Sequence, residues 1–133
     1  MIFVDTNVLV DVVTNNPTWQ TWSLQQLEAA ALRDRLAINP VVYAELSIGY
    51  TRLEEIDAAL ATAGIAIAEM PRTALFVAGK AFRQYRSRGG ARTGVLPNFF
   101  IGAHAAVLGA LLITRDARRF RSYFPTLELI APN

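Results

Sequence analysis

Cysteine is absent from the 133 residues of this chain. This absence excludes a disulfide framework, a thiol nucleophile and any zinc site built on thiolates, and it fits a reducing compartment such as the cytosol. Because 53% of the residues are apolar and 18% are charged, the composition is that of a globular protein that can bury a core without disulfides or a structural metal. We therefore expect a single domain over residues 1–133, with no repeat or linker that divides it.

Long hydrophobic runs are also missing. Asp5 interrupts the apolar start and no basic segment precedes it, so we expect no secretory signal and a cytoplasmic location. The longest apolar stretch, residues 101–113, contains His104 and two glycines. It is shorter than the roughly 20 residues that a helix needs to cross a bilayer, so the sequence predicts no membrane segment.

The net charge is small, since 13 basic and 11 acidic residues give +2. The distribution of charge is more informative. Nine of the 13 basic residues lie between Lys80 and Arg121, and Asp116 is the one acidic residue in that window. Such a segment is either a solvated helix face or a rim that contacts the phosphates of a nucleic acid.

Short apolar segments alternate with longer helical patterns along the chain. The predicted strands cover residues 2–4, 36–38, 65–68, 111–114 and 127–130. The predicted helices cover residues 7–13, 18–34, 41–49, 52–63, 71–88, 99–108 and 116–123, with Asn98 as the cap of the sixth. This alternation favours an α/β fold with right-handed crossovers and a parallel sheet covered on both faces. In such a sheet the functional residues collect at the carboxyl ends of the strands.

Three acidic residues stand where the apolar pattern disfavours them. Asp5 follows the first strand, Asp116 follows the fourth, and Glu45 emerges from the apolar stripe of its helix. Taken singly, the two aspartates could cap helices and Glu45 could pair with a buried arginine. Taken together, clustered carboxylates raise one another's pKa unless a cation holds them. An all-oxygen set favours Mg²⁺ or Mn²⁺ over Zn²⁺ and suits phosphodiester hydrolysis.

The resemblance to a known family is carried by three segments, "IFVDTNVLVD", "INPVVYAELSIGY" and "GGARTGVLPNFFIGAHAAVLGALLITRDARRFRSYFPTLELIAP". In this order they resemble the motifs of PIN-domain ribonucleases of the VapC toxin family, over nearly the whole chain. The resemblance implies an α/β/α sandwich with a mostly parallel sheet of about five strands. It also implies a Mg²⁺-dependent endoribonuclease that cuts structured RNA, such as tRNA or rRNA loops, and so inhibits translation. Members of the family are usually homodimers, inhibited by a VapB-type antitoxin.

The resemblance also assigns roles to individual residues. Asp5, Glu45 and Asp116 fall on the family's acidic positions, and Asn7 and Thr114 fall on accessory polar positions that orient ligands or the attacking water. We expect the three acids to converge near Asn98 and Thr114 in one pocket at the carboxyl-terminal edge of the sheet. The candidates for RNA contacts in the basic segment are Arg86, Arg88, Arg92 and Arg115.

One position departs from the family's pattern. Where the family has an aspartate between the proline and the paired aromatic residues, this chain has Asn98. Asparagine keeps a carbonyl oxygen for coordination but loses the negative charge of a carboxylate. The predicted metal ligands are therefore Asp5, Glu45, Asn98 and Asp116, and we expect this form of the nuclease to be impaired or inactive.

Two other functions stay open at this point. A phosphatase of the haloacid-dehalogenase type also has an aspartate after its first strand, but it needs a second aspartate where this chain has Asn7, and Lys80 lies in mid-helix. A degenerate PIN module could bind RNA or a protein partner without cleavage, as Asn98 allows. Metal-dependent RNA cleavage separates the nuclease from the binding module.

Overall fold

The computed structural model describes residues 1–92 and 94–132, in which successive strands are separated by one or two helices. Its five strands are β1 (Ile2–Val4), β2 (Leu36–Ile38), β3 (Ile65–Ile67), β4 (Leu111–Ile113) and β5 (Leu129–Ile130). The helices of the same residues are α1 (Thr6–Val13), α2 (Gln20–Arg33), α3 (Pro40–Ser47), α4 (Leu53–Thr62), α5 (Arg72–Ser87), α6 (Leu96–Leu108) and α7 (Arg118–Arg121). Each predicted strand and helix is present, with ends that differ by a few residues.

The strands form one sheet in the order β3-β2-β1-β4-β5, and every pairing is parallel. β1 lies at the centre, where Ile2 pairs with Leu36 on one side and with Leu111 on the other. The chain winds from β1 outward to β2 and β3 and then crosses to the opposite side for β4 and β5. The predicted α/β/α sandwich is confirmed. Because the direction of winding reverses between β1 and β4, a crevice is expected at their carboxyl ends.

The central strands are buried on both faces. Phe3, Ile38 and Ile113 have at most 1% of their surface exposed, which is why these segments are continuous apolar runs and not alternating ones. On α6, Gly102 lets the ring of Phe124 approach so closely that an added Cβ would lie 2.6 Å from it. None of the helices in residues 1–92 and 94–132 combines the length and apolarity that a bilayer crossing requires.

Helix α6 begins earlier than the sequence predicts. Asn98 was expected to cap a helix that starts at Phe99, but α6 starts at Leu96, with Val95 at the cap position. Pro97 is accepted in the first turn because its missing N–H would have had no partner there within the helix. Asn98 therefore lies inside the first turn, where its backbone N–H donates to the carbonyl oxygen of Val95 at 3.0 Å. The prediction of Asn98 as a helix cap is wrong.

The last helix is shorter than predicted. The sequence pattern indicated a helix over residues 116–123, whereas α7 covers Arg118–Arg121. The backbone N–H of Asp116 is taken by the hydroxyl of Thr114 at 3.0 Å, which holds a turn in place of a helix start. Asp116 consequently lies in the loop between β4 and α7.

Candidate active site

The candidate active site lies where β1 and β4 end side by side. Asp5 directly follows β1 and is the N-cap of α1, and Thr114 directly follows β4. The backbone N–H of Asp5 donates to the carbonyl oxygen of Ile113 at 2.9 Å, so the pairing of the strands continues into the site. The topology thus brings two segments that are far apart in sequence to one edge of the sheet.

Asp5 is buried, with 2% of its surface exposed, and both of its carboxylate oxygens are engaged. Oδ2 accepts from the hydroxyl of Thr114 at 2.7 Å, and Oδ1 accepts from the backbone N–H of Thr6 at 2.8 Å. Burial raises the pKa of Asp5 above its ordinary value, and the nearby charge of Glu45 adds to this. The two hydrogen bonds and the charge of Arg119 act in the opposite direction. The fold therefore keeps an acid at this position against a cost of desolvation.

Two threonines connect the three predicted acids. The hydroxyl of Thr6 donates to Oε1 of Glu45 at 2.6 Å, while its backbone N–H donates to Asp5. On the other side, Thr114 donates to Asp5 and accepts from the backbone N–H of Asp116 at 3.0 Å. A continuous set of hydrogen bonds thus links α3, α1 and the loop after β4. The sequence analysis missed Thr6, although its place directly after a strand-terminal aspartate is a usable signal.

The helices that bear Glu45 and Asn98 are joined below the site. Asn39, the N-cap of α3, accepts from the backbone N–H of Val41 at 2.6 Å through its side-chain oxygen. Its side-chain nitrogen lies 2.7 Å from Nδ1 of His104 on α6. Since the amide nitrogen is a donor, Nδ1 accepts and the ring proton of the neutral imidazole is on Nε2. Burial lowers the pKa of His104 and so favours this neutral form.

An open cavity of about 720 Å³ lies beside these residues. Glu45, Asn98 and Asp116 line it together, so the structure brings three of the four predicted metal ligands to one cavity. Its charged and amide-bearing lining consists of Glu45, Asn98, Asp116, Arg92, Arg118 and Arg119. Asp5 is not in the lining. It is buried and is connected to two lining residues, to Glu45 through Thr6 and to Asp116 through Thr114.

The residues present do not complete a metal site. Oxygen donors of the right kind are there, but in residues 1–92 and 94–132 no three carboxylate or imidazole groups are grouped so that they could hold an ion. Oδ2 of Asp116 already forms an ion pair with Nε of Arg119 at 2.7 Å. The lining of the cavity contains two carboxylates and three guanidinium groups, and Asn98 contributes an amide. The assignment of metal ligands stays a prediction.

Arg86, Arg88 and Arg92 of the basic segment are exposed. Arg86 lies over the ring of Phe82 and Arg88 over the ring of Tyr123, with 5.8 and 5.5 Å between guanidinium carbon and ring centroid. Of the four predicted RNA contacts, Arg92 lines the cavity itself. Arginines that rest on aromatic rings keep their donors available to phosphates, which supports the phosphate-contacting interpretation of this segment.

Arg115 occupies a different environment from the rest of the basic segment. Its Nε and Nη2 donate to the two carboxylate oxygens of Asp11 at 2.7 and 3.0 Å, and its guanidinium lies over the ring of Trp19. Asp11 is fully buried and also accepts from the hydroxyl of Ser23 at 2.8 Å. The backbone N–H of Arg115 lies 3.5 Å from Oδ1 of Asn7. Arg115 is thus engaged in fixing the loop that leads to Asp116, a role that the sequence analysis missed.

These features define an α/β protein with a polar cavity at the reversal point of a parallel sheet. The family model of the PIN domain matches residues 2–123, and the chain belongs to this family. PIN domains are nucleases and generally depend on divalent metals. The prediction of a PIN domain is confirmed, and the phosphatase alternative is wrong. A comparison with curated protein sequences gave no match.

Several solved structures that match this fold contain toxin–antitoxin complexes. VapBC2 from Rickettsia felis, bound to a DNA fragment from its promoter, matches with a TM-score of 0.76 and 23% identity over 100% of both chains. VapBC-1 from nontypeable Haemophilus influenzae matches with a TM-score of 0.71 and 24% identity over 98% of both. A toxin–antitoxin complex from Klebsiella pneumoniae has a TM-score of 0.71 and 21% identity, covering 100% of this chain and 98% of that one.

Proposed function

We propose that this chain is the endoribonuclease toxin of a type II toxin–antitoxin pair, which cuts structured RNA such as a tRNA or rRNA loop with Mg²⁺ or Mn²⁺ and so inhibits translation in the cytoplasm. The observation that carries the proposal is that Glu45, Asn98 and Asp116 line one cavity at the reversal point of a PIN fold. Because the acid expected at position 98 is an amide, cleavage by this chain is weak or absent.

The arginines of the cavity supply the affinity for RNA. Arg92 and Arg118 are exposed and line the same cavity as the acids, so phosphates drawn to them come to rest beside Glu45 and Asp116. Guanidinium groups bind phosphates through paired hydrogen bonds. Loops of single-stranded RNA offer such phosphates together with unstacked bases.

The change Asn98→Asp tests the proposal. It is nearly isosteric and restores a negative charge to the cavity wall, and we expect metal-dependent cleavage to rise by about tenfold or more, since one unit charge near a divalent ion changes its binding by at least about 1.4 kcal/mol. The matched control is Asn15→Asp, which makes the same chemical change at an exposed turn. Cleavage is measured by sequencing the RNA ends that each variant produces from total tRNA and rRNA.

The outcome separates two functions. If Asn98→Asp cleaves no RNA above the level of Asn15→Asp with either Mg²⁺ or Mn²⁺, position 98 is not a ligand and the nuclease proposal fails. The second candidate function, a PIN module that binds RNA without cutting it, is favoured by the three guanidinium groups that face two carboxylates in the cavity. It predicts salt-sensitive RNA binding by both variants and no new RNA ends.

An apolar groove supports a VapB-type antitoxin as the partner. The groove has a volume of about 390 Å³ and is lined by side chains of α1, α2, α3 and α4. Val13 and Leu24 at its edge are 58% and 40% exposed, which suits the apolar face of an amphipathic partner helix. We expect Leu24→Glu to weaken binding of the antitoxin by about tenfold or more, as the loss of a buried apolar anchor does. Leu32→Glu, on the same helix but outside the groove lining, is the control.

The homodimer is also part of the proposal. Leu75 and Phe76 on α5 are 44% and 66% exposed, and large exposed apolar side chains close together are typical of interfaces. Sedimentation of the isolated chain tests this. A monomer at micromolar concentration would contradict the dimer and leave the nuclease proposal intact.

A further inference from the structure

Arg119 forms an ion pair with one of the acidic residues of the cavity. Its Nε lies 2.7 Å from Oδ2 of Asp116, which is three residues earlier in the chain. Arg119 lines the same cavity as Glu45 and Asn98. One guanidinium group thus occupies the carboxylate of Asp116 in the cavity that also contains two other predicted metal ligands.

The charges of the site balance without any added ion. The carboxylates of Asp5, Glu45 and Asp116 are matched in number by the guanidinium groups of Arg92, Arg118 and Arg119. Had position 98 been acidic, one negative charge would have been left over. With the amide of Asn98 there, a divalent cation would bring two positive charges to a site that is already neutral.

The contact between Arg119 and Asp116 is also exchangeable. Their side chains are 49% and 38% exposed, and ion pairs with this exposure are weak because water and salt screen them. A buried pair would have been fixed in place. Arg119 can therefore leave Asp116 without unfolding any part of the protein.

From these contacts we propose that Arg119 is the internal counter-ion of the cavity. It holds the carboxylate of Asp116 in the place of a divalent cation, so the resting protein binds Mn²⁺ or Mg²⁺ weakly. Two further observations agree with weak metal binding: the described residues contain no group of three acids that could hold an ion, and position 98 is an amide. The inference rests on the proposed function only in taking this cavity to be the one that receives the metal.

Titration of metal-free protein with Mn²⁺, followed by calorimetry and by the electron spin resonance of free Mn²⁺, tests the inference. The comparison uses the Asn98→Asp background and adds Arg119→Gln or Arg121→Gln. The second change removes the same charge from the same short helix at an exposed residue outside the cavity lining. We expect Arg119→Gln to tighten Mn²⁺ binding about tenfold or more, and Arg121→Gln to change it by less than about twofold, because the effect of a charge falls with distance and screening. Arg119→Lys, which keeps the charge, should lie between the two.

Equal dissociation constants for the Arg119→Gln and Arg121→Gln variants would overturn the inference, and so would a failure of the Arg119→Gln variant to bind Mn²⁺ at all. RNA is not present in this titration, so its result is separate from that of the cleavage experiment. If Asn98→Asp cleaves RNA and Arg119→Gln has no effect on Mn²⁺, only the counter-ion role fails. If Arg119→Gln tightens Mn²⁺ binding and no variant cleaves RNA, the counter-ion role stands and the nuclease proposal fails.

Discussion

Replacement of Asp11 by alanine should lower the unfolding temperature of this protein by about 10 °C. Asp11 is fully buried and accepts from Nε and Nη2 of Arg115 and from the hydroxyl of Ser23. Removal of one partner of a buried ion pair costs about 3–5 kcal/mol. The side chain of Arg115 is 29% exposed, so water can partly solvate the orphaned guanidinium and the lower end, about 3 kcal/mol, applies. For a chain of 133 residues the unfolding entropy is about 280 cal/mol/K, which converts this loss to about 10 °C.

Thermal unfolding of the metal-free protein, followed by circular dichroism, measures the loss. The control is Asp57→Ala, which removes an exposed carboxylate whose partner is the hydroxyl of Tyr43 and should change the unfolding temperature by less than about 2 °C. A double variant that also carries Arg115→Met should recover part of the loss, because the unpaired cation is then gone. The reasoning is refuted if Asp11→Ala unfolds within about 2 °C of the unmodified chain, which is less than 1 kcal/mol for a protein of this size.

Three further predictions concern the site and its support. At a pH below 3.8, the ordinary pKa of an aspartate, the carboxyl of Asp5 is neutral in both the folded and the unfolded protein, and stability is lost as the pH rises through its raised pKa in the folded protein. Asp5→Asn should therefore unfold at a higher temperature than the unmodified chain at pH 7, and this advantage should vanish in thermal scans below pH 3.8. Gly102→Ala should destabilise by about 1–3 kcal/mol in urea unfolding, since its Cβ would meet the ring of Phe124 at 2.6 Å, whereas Gly79→Ala, with no atom within 4 Å of its Cβ, should stabilise α5 by up to about 1 kcal/mol. Arg92→Ala should lower the slope of the logarithm of RNA affinity against the logarithm of salt concentration by about 0.7 in filter binding. An unchanged slope would mean that Arg92 contacts no phosphate and is only a solvated surface residue.

The fold could be predicted well from the sequence because its signals are local. Each strand is a short apolar run and successive strands are separated by one or two helices, so this order alone indicates a parallel sheet. Asp5, Glu45 and Asp116 could be singled out because each breaks an apolar pattern. The first turn of α6 could not, since Pro97 is compatible with either side of a helix start.

What the sequence could not indicate depends on contacts between distant residues. The bond from Arg115 to Asp11 joins residues 104 positions apart, and no local pattern distinguishes this arginine from Arg86 or Arg92. The pairing of Arg119 with Asp116 is close in sequence, but its meaning depends on Glu45 and Asn98 across the cavity. The burial of Asp5 follows from the packing of the sheet and could not be read from its position after β1.

The hydroxyl of Thr114 donates to the carboxylate of Asp5, which is 109 residues earlier in the chain. This separation determines when the site can form during synthesis of the protein. β1 is synthesised before β2 and β3, yet its sheet neighbour β4 and the loop with Asp116 are synthesised after them. A nascent or prematurely terminated chain that stops before β4 has neither the crevice nor two of the polar groups that surround it. The crevice at the carboxyl ends of β1 and β4 can therefore form only after β4 and the loop that follows it have been synthesised.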